Sequence, residues 1–190
     1  MPPAPLELAC HPVTSERLSD LARFMEAHGK FRYCACMRWR MPSSAFSGST
    51  KEGRGDALAC LVQEGTPIGV LAYRDQEPVA WCSVAPRECY VALERYRALP
   101  RIDDRPVWSV VCFFVSARIR RGGATLGLLK AAVDYAKSQK AEIIEGYPVE
   151  PGRRLYTYMG SPSTFRAAGF RDVTPRGQSR RVMRYFVNAN

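Results

Sequence analysis

The sequence is poor in residues that hold metal ions. It has only two histidines, His11 and His28, and one closely spaced cysteine pair, Cys34 and Cys36. A structural zinc site needs about four nitrogen or sulfur ligands, and this pair together with His28 supplies only three. A disulfide between Cys34 and Cys36 would close a small, strained ring. We therefore expect neither a metal site nor a disulfide in this stretch.

Long apolar runs are also missing. No run approaches the roughly 20 residues that span a membrane, and residues 1–12 do not join a basic segment to a long apolar one. The seven cysteines are an odd number without regular spacing, which is typical of free thiols in a reducing compartment. We expect a cytoplasmic protein with no membrane partner, in which residues 1–190 form a single domain.

Acidic residues are too few to balance the basic ones. The chain has 28 lysines and arginines against 18 aspartates and glutamates, which gives a net charge of +10. This excess suits an anionic partner such as a nucleic acid, a nucleotide cofactor or an acidic substrate. Because the arginines are spread along the whole chain, nucleic acid is not the partner we expect. A basic nucleic-acid-binding module stays an alternative, since "RRVMRYFV" (180–187) partly alternates basic and aromatic residues.

The order of the apolar patterns predicts a mixed α/β fold. Residues 67–85 predict a β-hairpin, and the nearly continuous apolar run 107–115 predicts a central strand covered on both faces. We expect further strands at 6–13, 141–149 and 180–187, helices at 14–29, 56–65, 124–139 and 161–169, a short helix within 87–97, and irregular chain over 30–55. This order predicts a mixed, mostly antiparallel sheet flanked by helices rather than a doubly wound one.

An arginine- and glycine-rich loop between a buried strand and a helix carries the strongest functional signal. It reads Arg120-Arg121-Gly122-Gly123-Ala124-Thr125. The first turn of a helix presents unpaired N–H groups and the positive end of the helix dipole, and glycines let an anion approach that backbone. The loop therefore predicts a phosphate-binding site. It lacks the Gly-Lys-Ser/Thr of a P-loop and the glycine spacing of a dinucleotide fingerprint.

This loop resembles the Arg/Gln-x-x-Gly-x-Gly/Ala loop of the GNAT superfamily of acetyl-CoA-dependent N-acetyltransferases. The strand before it, the helix and strand after it, and "FRAAGF" (165–170) resemble that superfamily's core. As a set, "CACMRWR", "VAWCSVAPRE", "VWSVVCFFV" and "EGYPVEP" resemble a bacterial subgroup of it. The resemblance covers residues 6–187 and is most specific over 107–170. It implies a GNAT-like fold and transfer of an acetyl group from acetyl-CoA to a primary amine, by direct attack in a ternary complex.

The resemblance also implies how acetyl-CoA binds. The pyrophosphate would lie on the backbone of the loop residues Arg120, Arg121, Gly122, Gly123, Ala124 and Thr125. The pantetheine would pair with the backbone of Phe113, Phe114 and Val115, where an N–H group would polarise the thioester carbonyl. Thr125 departs from the usual glycine or alanine, and its Cβ crowds the pyrophosphate slightly.

The superfamily's usual acid is absent. Phe165 stands where a tyrosine often protonates the leaving thiolate. Tyr156 and Tyr158 fall in the right region and we favour Tyr158, although each is otherwise a partly buried loop tyrosine. Ser109 stands where some members carry a glutamate base, so the candidates are Glu145 and a water relay; Glu145 would otherwise face solvent or pair with an arginine. A CoA-binding protein without catalysis is therefore an alternative function.

The acceptor is expected beside "FRYCACMRWR" (31–40). In the superfamily the acceptor site is built by segments that correspond here to about 28–55 and 86–106. Trp39 could form an apolar wall, and Arg38 or Arg40 could bind an anionic group of a small-molecule or peptide amine. Otherwise Trp39 packs at the edge of the core and the arginines are solvated. Whether the protein is a homodimer is left open.

Overall fold

The computed structural model describes residues 8–120, 123–152 and 155–188, and the side chains of residues 30–32 are not part of that description. Its strands are β1 (Ala9–Pro12), β2 (Gly69–Arg74), β3 (Glu77–Pro86), β4 (Trp108–Val115), β5 (Ile143–Gly146), β6 (Arg171–Asp172) and β7 (Met183–Phe186). Its α-helices are α1 (Leu18–Glu26), α2 (Gly29–Cys34), α3 (Ser43–Gly48), α4 (Lys51–Gln63), α5 (Val91–Glu94), α6 (Ala124–Ser138) and α7 (Pro162–Ala167). Short 3-10 helices span Ser15–Arg17, Arg87–Cys89, Ala117–Ile119 and Thr157–Met159.

The described strands belong to one sheet, in the order β1-β2-β3-β4-β5-β7-β6. β4 and β5 are parallel, and the other neighbouring pairs are antiparallel. The parallel pair is joined by a crossover that contains α6, as parallel neighbours require. The predicted mixed, mostly antiparallel sheet flanked by helices is confirmed. Among the helices of the described residues, none is long and apolar enough to cross a bilayer.

β4 carries a β-bulge where its pairing with β5 ends. Two consecutive residues of β3 face Val110 and Cys112, so Val111 has no partner in β3. The last pair between β4 and β5 is Val110 with Gly146. The second half of β4, as far as Val115, therefore continues without β5 paired beside it.

Side chains of β4 reach hydrophobic clusters on both faces of the sheet. Val110 and Phe113 pack in a cluster with Leu129 of α6. Cys112 and Phe114 pack against a cluster that contains residues of α1 and α4 on the opposite face. The prediction of a central strand covered on both faces is confirmed.

A third hydrophobic cluster lies beside the bulge. It contains Val111 of β4 together with Trp39, Tyr147 and Met159. Tyr147 directly follows β5, and Met159 ends the 3-10 helix Thr157–Met159. The stretch 31–40 is thereby attached to the region where β4 and β5 separate.

The prediction of irregular chain over 30–55 is wrong. α2, α3 and the first residues of α4 lie in this stretch. Thr50 caps α4, because its hydroxyl accepts a hydrogen bond of 3.0 Å from the N–H of Gly53. Gly53 and Gly55 lower helix propensity and so hide the start of the helix in the sequence. The cap and the burial of Leu58 and Val62 offset that cost.

The ends of several strands also differ from the predictions. Of the predicted strand 6–13, Ala9–Pro12 is a strand, and residues 6 and 7 lie outside the described residues. β6 is too short to produce an alternating pattern, and the sequence did not indicate it. β7 begins at Met183 rather than at Arg180. Residues 173–182 therefore form a loop between β6 and β7, which brings Arg180 out of the sheet.

Candidate active site

The loop after β4 leads from the end of that strand to the first turn of α6. Gly123 precedes the helix with a φ of +76°, a left-handed conformation that glycine adopts without strain. Its carbonyl accepts hydrogen bonds of 3.0 and 3.2 Å from the N–H groups of Leu126 and Gly127. In an α-helix the preceding N–H groups, here those of Ala124 and Thr125, have no intrahelical acceptor. The helix therefore offers two N–H donors and its positive dipole end at this loop.

Arg120 is in contact with the end of β4. Its Nε donates a hydrogen bond of 3.1 Å to the carbonyl of Val115, the last residue of β4. Arg121 and Gly122 of the predicted loop lie outside the described residues. The described part of the loop supplies Gly123 and the N-terminus of α6, which can hold a phosphate group, and Arg120 precedes them by three residues in the sequence.

The segment predicted to pair with pantetheine is the part of β4 beyond the bulge. One edge of Phe113, Phe114 and Val115 is paired with β3. The pairs between β4 and β5 stop at Val110, so β5 does not occupy the other edge of these residues. The two phenylalanine side chains pack on opposite faces of the sheet, in separate hydrophobic clusters. Their side chains therefore belong to the core, and the backbone is the part that can meet a ligand.

Phe165 packs against both separating strands, on the face of the sheet that carries α6. Its side chain is fully buried, and its ring centroid lies 6.1 Å from that of Phe113. The ring is so close to β5 that a Cβ added to Gly146 would lie 2.0 Å from its Cε1. On another side, a Cβ added to Gly160 would lie 3.0 Å from Cε2. The position is a packing site with no proton to donate, so an acid must come from another residue.

Tyr158 is half-buried in the 3-10 helix Thr157–Met159, which packs on β4. Burial raises the pKa of its phenol above the ordinary range, the nearby thiols of Cys112 and Cys34 add to this effect, and the Arg38 guanidinium opposes it. A tyrosine phenol is protonated at neutral pH in any case, and this shift extends the protonated form to higher pH. Cys112 belongs to β4, so the structure brings Tyr158 close to the part of β4 predicted to bind the thioester.

Tyr156 lies next to Tyr158, with ring centroids 6.1 Å apart. Its hydroxyl is 3.2 Å from that of Tyr96, and its ring faces Trp39 at a centroid distance of 6.0 Å. The hydrogen bond with Tyr96 and partial burial raise the pKa of Tyr156, whereas the guanidinium groups of Arg38 and Arg180 lower it. Its backbone has a φ of +61°, unusual for a tyrosine. Tyr156 thus belongs to an aromatic group between the stretch 31–40 and Tyr158.

Glu145 is buried in an ion-pair network, with 1% of its surface exposed. Its Oε1 accepts hydrogen bonds from Arg87 Nη1 at 2.8 Å and from the hydroxyl of Tyr147 at 2.7 Å. Its Oε2 accepts one of 2.7 Å from Arg184 Nε. This is the pairing with arginine that the sequence left open. The arrangement argues against the predicted role as general base, because the carboxylate is buried and both of its oxygens already accept hydrogen bonds within the chain.

The predicted acceptor residue Arg40 is structural instead. It is 5% exposed, and its Nη2 donates to the carbonyls of Pro67 and Ile68 and to the hydroxyl of Tyr90, at 3.1–3.3 Å. The guanidinium also stacks 4.5 Å from the centre of the Tyr90 ring. Its Nε and Nη1 have no partner among the described residues, but they are buried as well. Arg40 is therefore not solvated, and because its burial keeps it from an acceptor, its prediction as a recognition residue is corrected.

Trp39 and Arg38 have different environments. Trp39 is 2% exposed and packs against Tyr96, with ring centroids 5.4 Å apart. The guanidinium carbon of Arg38 lies 5.3 Å from the Trp39 ring centre and 5.9 Å from that of Phe46. Its Nη1 is buried and has no hydrogen-bond partner among the described residues. Trp39 Nε1 and Arg40 Nε and Nη1 also lack a partner among the described residues, but Arg38 is the one of the three predicted acceptor residues that is partly exposed.

The two cysteines of the same stretch have a structural role. Ala35 and Cys36 both have positive φ, so the chain turns sharply there, and Cys36 Sγ accepts a hydrogen bond of 2.8 Å from Trp81 Nε1. Burial raises the pKa of Cys34 to about 11 and that of Cys36 well above its usual range. Neither thiol is poised as a nucleophile. Within the described ranges, no three histidine, cysteine or acidic residues are grouped as metal ligands.

A cavity of about 340 Å³ opens beside Tyr156. Its walls come from three segments: the residues that follow α5, the chain that follows β5, and the β6–β7 loop. They include Tyr96, Val149, Leu155, Tyr156, Arg180 and Arg181. The sequence did not indicate Tyr96 or Arg180 as site residues. Arg180 was assigned to a closing strand, and no local pattern relates it to Tyr96.

The comparisons with known proteins agree on one family. The sequence model described as "Acetyltransferase (GNAT) family" matches residues 33–160, more than half of the chain. That range includes β4, the loop, α6, β5 and the tyrosine pair, and it ends before Phe165. No curated protein sequence matches this chain significantly.

Several solved structures share the fold at low sequence identity. A ribosomal-protein-alanine N-acetyltransferase from Brucella melitensis is 18% identical with a TM-score of 0.52, over 95% of this chain and 100% of that one. The PaiA N-acetyltransferase from Thermoplasma acidophilum, solved in complex with coenzyme A, is 12% identical with a TM-score of 0.52, over 95% and 99%. An aminoglycoside antibiotic 6'-N-acetyltransferase from Acinetobacter haemolyticus is 15% identical with a TM-score of 0.53, over 88% and 93%. With the family match and the fold in agreement, this chain belongs to the acetyltransferase (GNAT) family.

Proposed function

We propose that the protein is an N-acetyltransferase that moves the acetyl group of acetyl-CoA to a primary amine of a small molecule or peptide. The observation that carries this proposal is the separation of β4 from β5 at the bulge, directly before the α6 loop and beside the Tyr158 phenol. A slot between two strands, an anion site at one end and a proton donor next to it are what a ternary-complex transfer requires.

Two backbone segments bind the cofactor in this proposal. The N–H groups of Ala124 and Thr125, with Gly123 and Arg120, suit the pyrophosphate, and Arg121 and Gly122 complete the loop in the sequence. The backbone of Phe113–Val115 suits the extended pantetheine, which can pair with the edge that β5 does not occupy. An N–H group of that segment then polarises the thioester carbonyl as the amine attacks.

Tyr158 is the proposed acid. Its phenol is protonated at neutral pH, as a tyrosine phenol ordinarily is, so it can donate its proton to the thiolate that develops as the thioester bond breaks. The amine's own proton must leave by another route. Because Glu145 is held by Arg87 and Arg184, we assign that step to a water relay rather than to this carboxylate.

A thiol-release assay with acetyl-CoA and a panel of primary amines tests the proposal. We expect turnover, and we expect Tyr158→Phe to lower kcat by about 100-fold or more, since a positioned proton donor contributes about that much. The dissociation constant for acetyl-CoA, measured by calorimetry, should stay unchanged. Tyr135→Phe is the matched control, because it removes a phenol from α6 on the other face of the sheet.

Each result of this assay points to a different conclusion. Full kcat in Tyr158→Phe would show that Tyr158 is not the acid. Tight acetyl-CoA binding without turnover on any amine would favour the CoA-binding protein without catalysis. A salt-sensitive shift of nucleic acid in a gel, without acetyl-CoA binding, would favour the basic nucleic-acid-binding module.

Some expectations from the sequence remain proposals. A cytoplasmic location is supported by the cysteines, since all seven are free thiols. The assignment of residues 1–190 to a single domain stays a prediction, and so does the choice between a monomer and a homodimer.

A further inference from the structure

The cavity beside Tyr156 contains an arginine whose charge is not balanced by its surroundings. Arg180 stacks on Tyr156, with its guanidinium carbon 4.6 Å from the ring centre, and its Nη2 donates to Met159 Sδ at 3.3 Å. Its Nη1 is buried and has no hydrogen-bond partner among the described residues. A buried donor without an acceptor is costly and rare in folded proteins. The unpaired donor of this guanidinium can therefore bind a group that belongs to another molecule.

In the same loop, carboxylates balance the charge of the neighbouring arginine. Arg181 forms ion pairs with both Glu150 and Asp172. Arg180 has no carboxylate within ion-pair distance among the described residues, although the two arginines are adjacent and line the same cavity. Glu150 and Asp172 are thus both paired with Arg181, and the positive charge of Arg180 has no carboxylate to balance it.

A second guanidinium without an ion pair among the described residues lies near the same aromatic group. Arg38 lies on Trp39, which faces Tyr156, and its buried Nη1 is also without a partner in the described part of the chain. Arg38 and Arg180 both act on the Tyr156 phenol strongly enough to oppose the rise of its pKa. Two positive charges with free donors therefore flank Tyr156, whose ring is 6.1 Å from that of Tyr158.

We propose that this cavity binds an anionic group, a carboxylate or a phosphate, that the acceptor carries in addition to its amine. Arg180 is the ligand, and the hydroxyls of Tyr96 and Tyr156 complete the polar wall. Arg38 does not line the cavity and adds positive charge beside Tyr156. Arginine presents parallel N–H donors that match both anions. The inference rests on the proposed function, since it places the acceptor's amine toward Tyr158 and its acid in the cavity.

Matched probes test the inference without requiring turnover. Binding to the protein without acetyl-CoA is measured by quenching of tryptophan fluorescence, because Trp39 adjoins the cavity. The probes are 4-aminobutyrate against 4-aminobutanamide for a carboxylate, and O-phosphoethanolamine against ethanolamine for a phosphate. We expect the anionic member of at least one pair to bind about 10- to 100-fold more tightly, the range for a charge-assisted hydrogen bond. The pair that shows the preference identifies the anion.

Variants decide whether Arg180 is responsible. Arg180→Gln should reduce the preference to less than about threefold, and Arg180→Lys, which keeps the charge, should restore part of it. Arg176→Gln is the matched control, because it removes the same charge from an exposed position of the same loop. The inference is overturned if neither anionic probe binds at millimolar concentration, or if the preference persists in Arg180→Gln. Turnover of neutral amines without any anion preference would overturn this inference and leave the proposed function standing.

Discussion

Two sets of arginines near the separating strands differ in what surrounds them. Arg87 and Arg184 are almost fully buried, and both bind the carboxylate of Glu145. Arg38 and Arg180 are partly exposed, stack on aromatic rings and have buried nitrogens without acceptors in the described chain. The first set completes its interactions inside the protein, so its role is structural. The second set has N–H donors that no acceptor of the described chain occupies, and a binding surface needs such donors to hold a ligand.

This difference shows that the net charge of a chain does not by itself indicate what kind of molecule the chain binds. The chain carries an excess of ten positive charges. Arg87 donates to Glu94, Glu145, Tyr147 and the carbonyl of Leu99. Such saturated arginines add to the net charge but cannot meet a ligand. A cation becomes informative about function when its local partners are too few.

The largest effect is expected from breaking the saturated set. Glu145→Gln leaves Arg87 and Arg184 buried with one carboxylate fewer, so we expect the free energy of unfolding to fall by about 3–5 kcal/mol. Urea unfolding followed by circular dichroism measures this. Glu150→Gln is the control, because its surface ion pair with Arg181 should contribute less than about 1 kcal/mol. Equal losses in the two variants would remove the distinction between the sets.

An intermediate effect concerns alkaline pH. Burial, followed by the charge of Glu145, raises the pKa of Tyr147 well above its ordinary value. Above about pH 10 the unfolded chain releases this phenolic proton while the folded chain keeps it, so stability falls as the pH rises. In Tyr147→Phe that fall should be shallower by about 1.4 kcal/mol per pH unit. Urea unfolding at several pH values above 10 measures the slope, and an unchanged slope would contradict the prediction.

The smallest effect is expected from the unsaturated set. Arg180→Gln and Arg38→Gln should change the free energy of unfolding by no more than about 0.5 kcal/mol, because neither guanidinium has an ion pair among the described residues to lose. Arg40→Gln is the contrasting variant, since it removes buried hydrogen bonds to Pro67, Ile68 and Tyr90 and should cost about 1–3 kcal/mol. Thermal unfolding separates the two outcomes. A large loss in Arg180→Gln would assign that residue to the structure instead.

Much of the fold could be predicted where a regular pattern is long. The apolar run of β4 and the apolar stripe of α6 agree with the structure to within a residue. The prediction failed at α4, whose first residues contain Gly53 and Gly55, because local propensity there opposes what capping and packing stabilise. It also failed at the start of β7, where two arginines continue an alternating pattern although the strand begins later.

The candidate site also has one part that the sequence indicates and another part that it does not. The cofactor loop is a contiguous motif, so the sequence alone indicates it. The acceptor side depends on Tyr96, Tyr156 and Arg180, which are separated by 60 and 24 positions in the chain. No local pattern relates them, and only the packing of three segments around one cavity does.

The sequence alone indicates the family, the sheet with its central buried strand, and the loop predicted to bind an anion, because each depends on neighbouring residues. The tertiary structure decided which charges remain free. Glu145 and Arg40 are bound by partners that are distant in sequence, so neither is available for the role first predicted for it. Arg180 was assigned to a strand, yet it lies unbalanced beside Tyr156. The physical reason is that the availability of a charged group depends on every neighbour in space, and sequence order does not specify those neighbours.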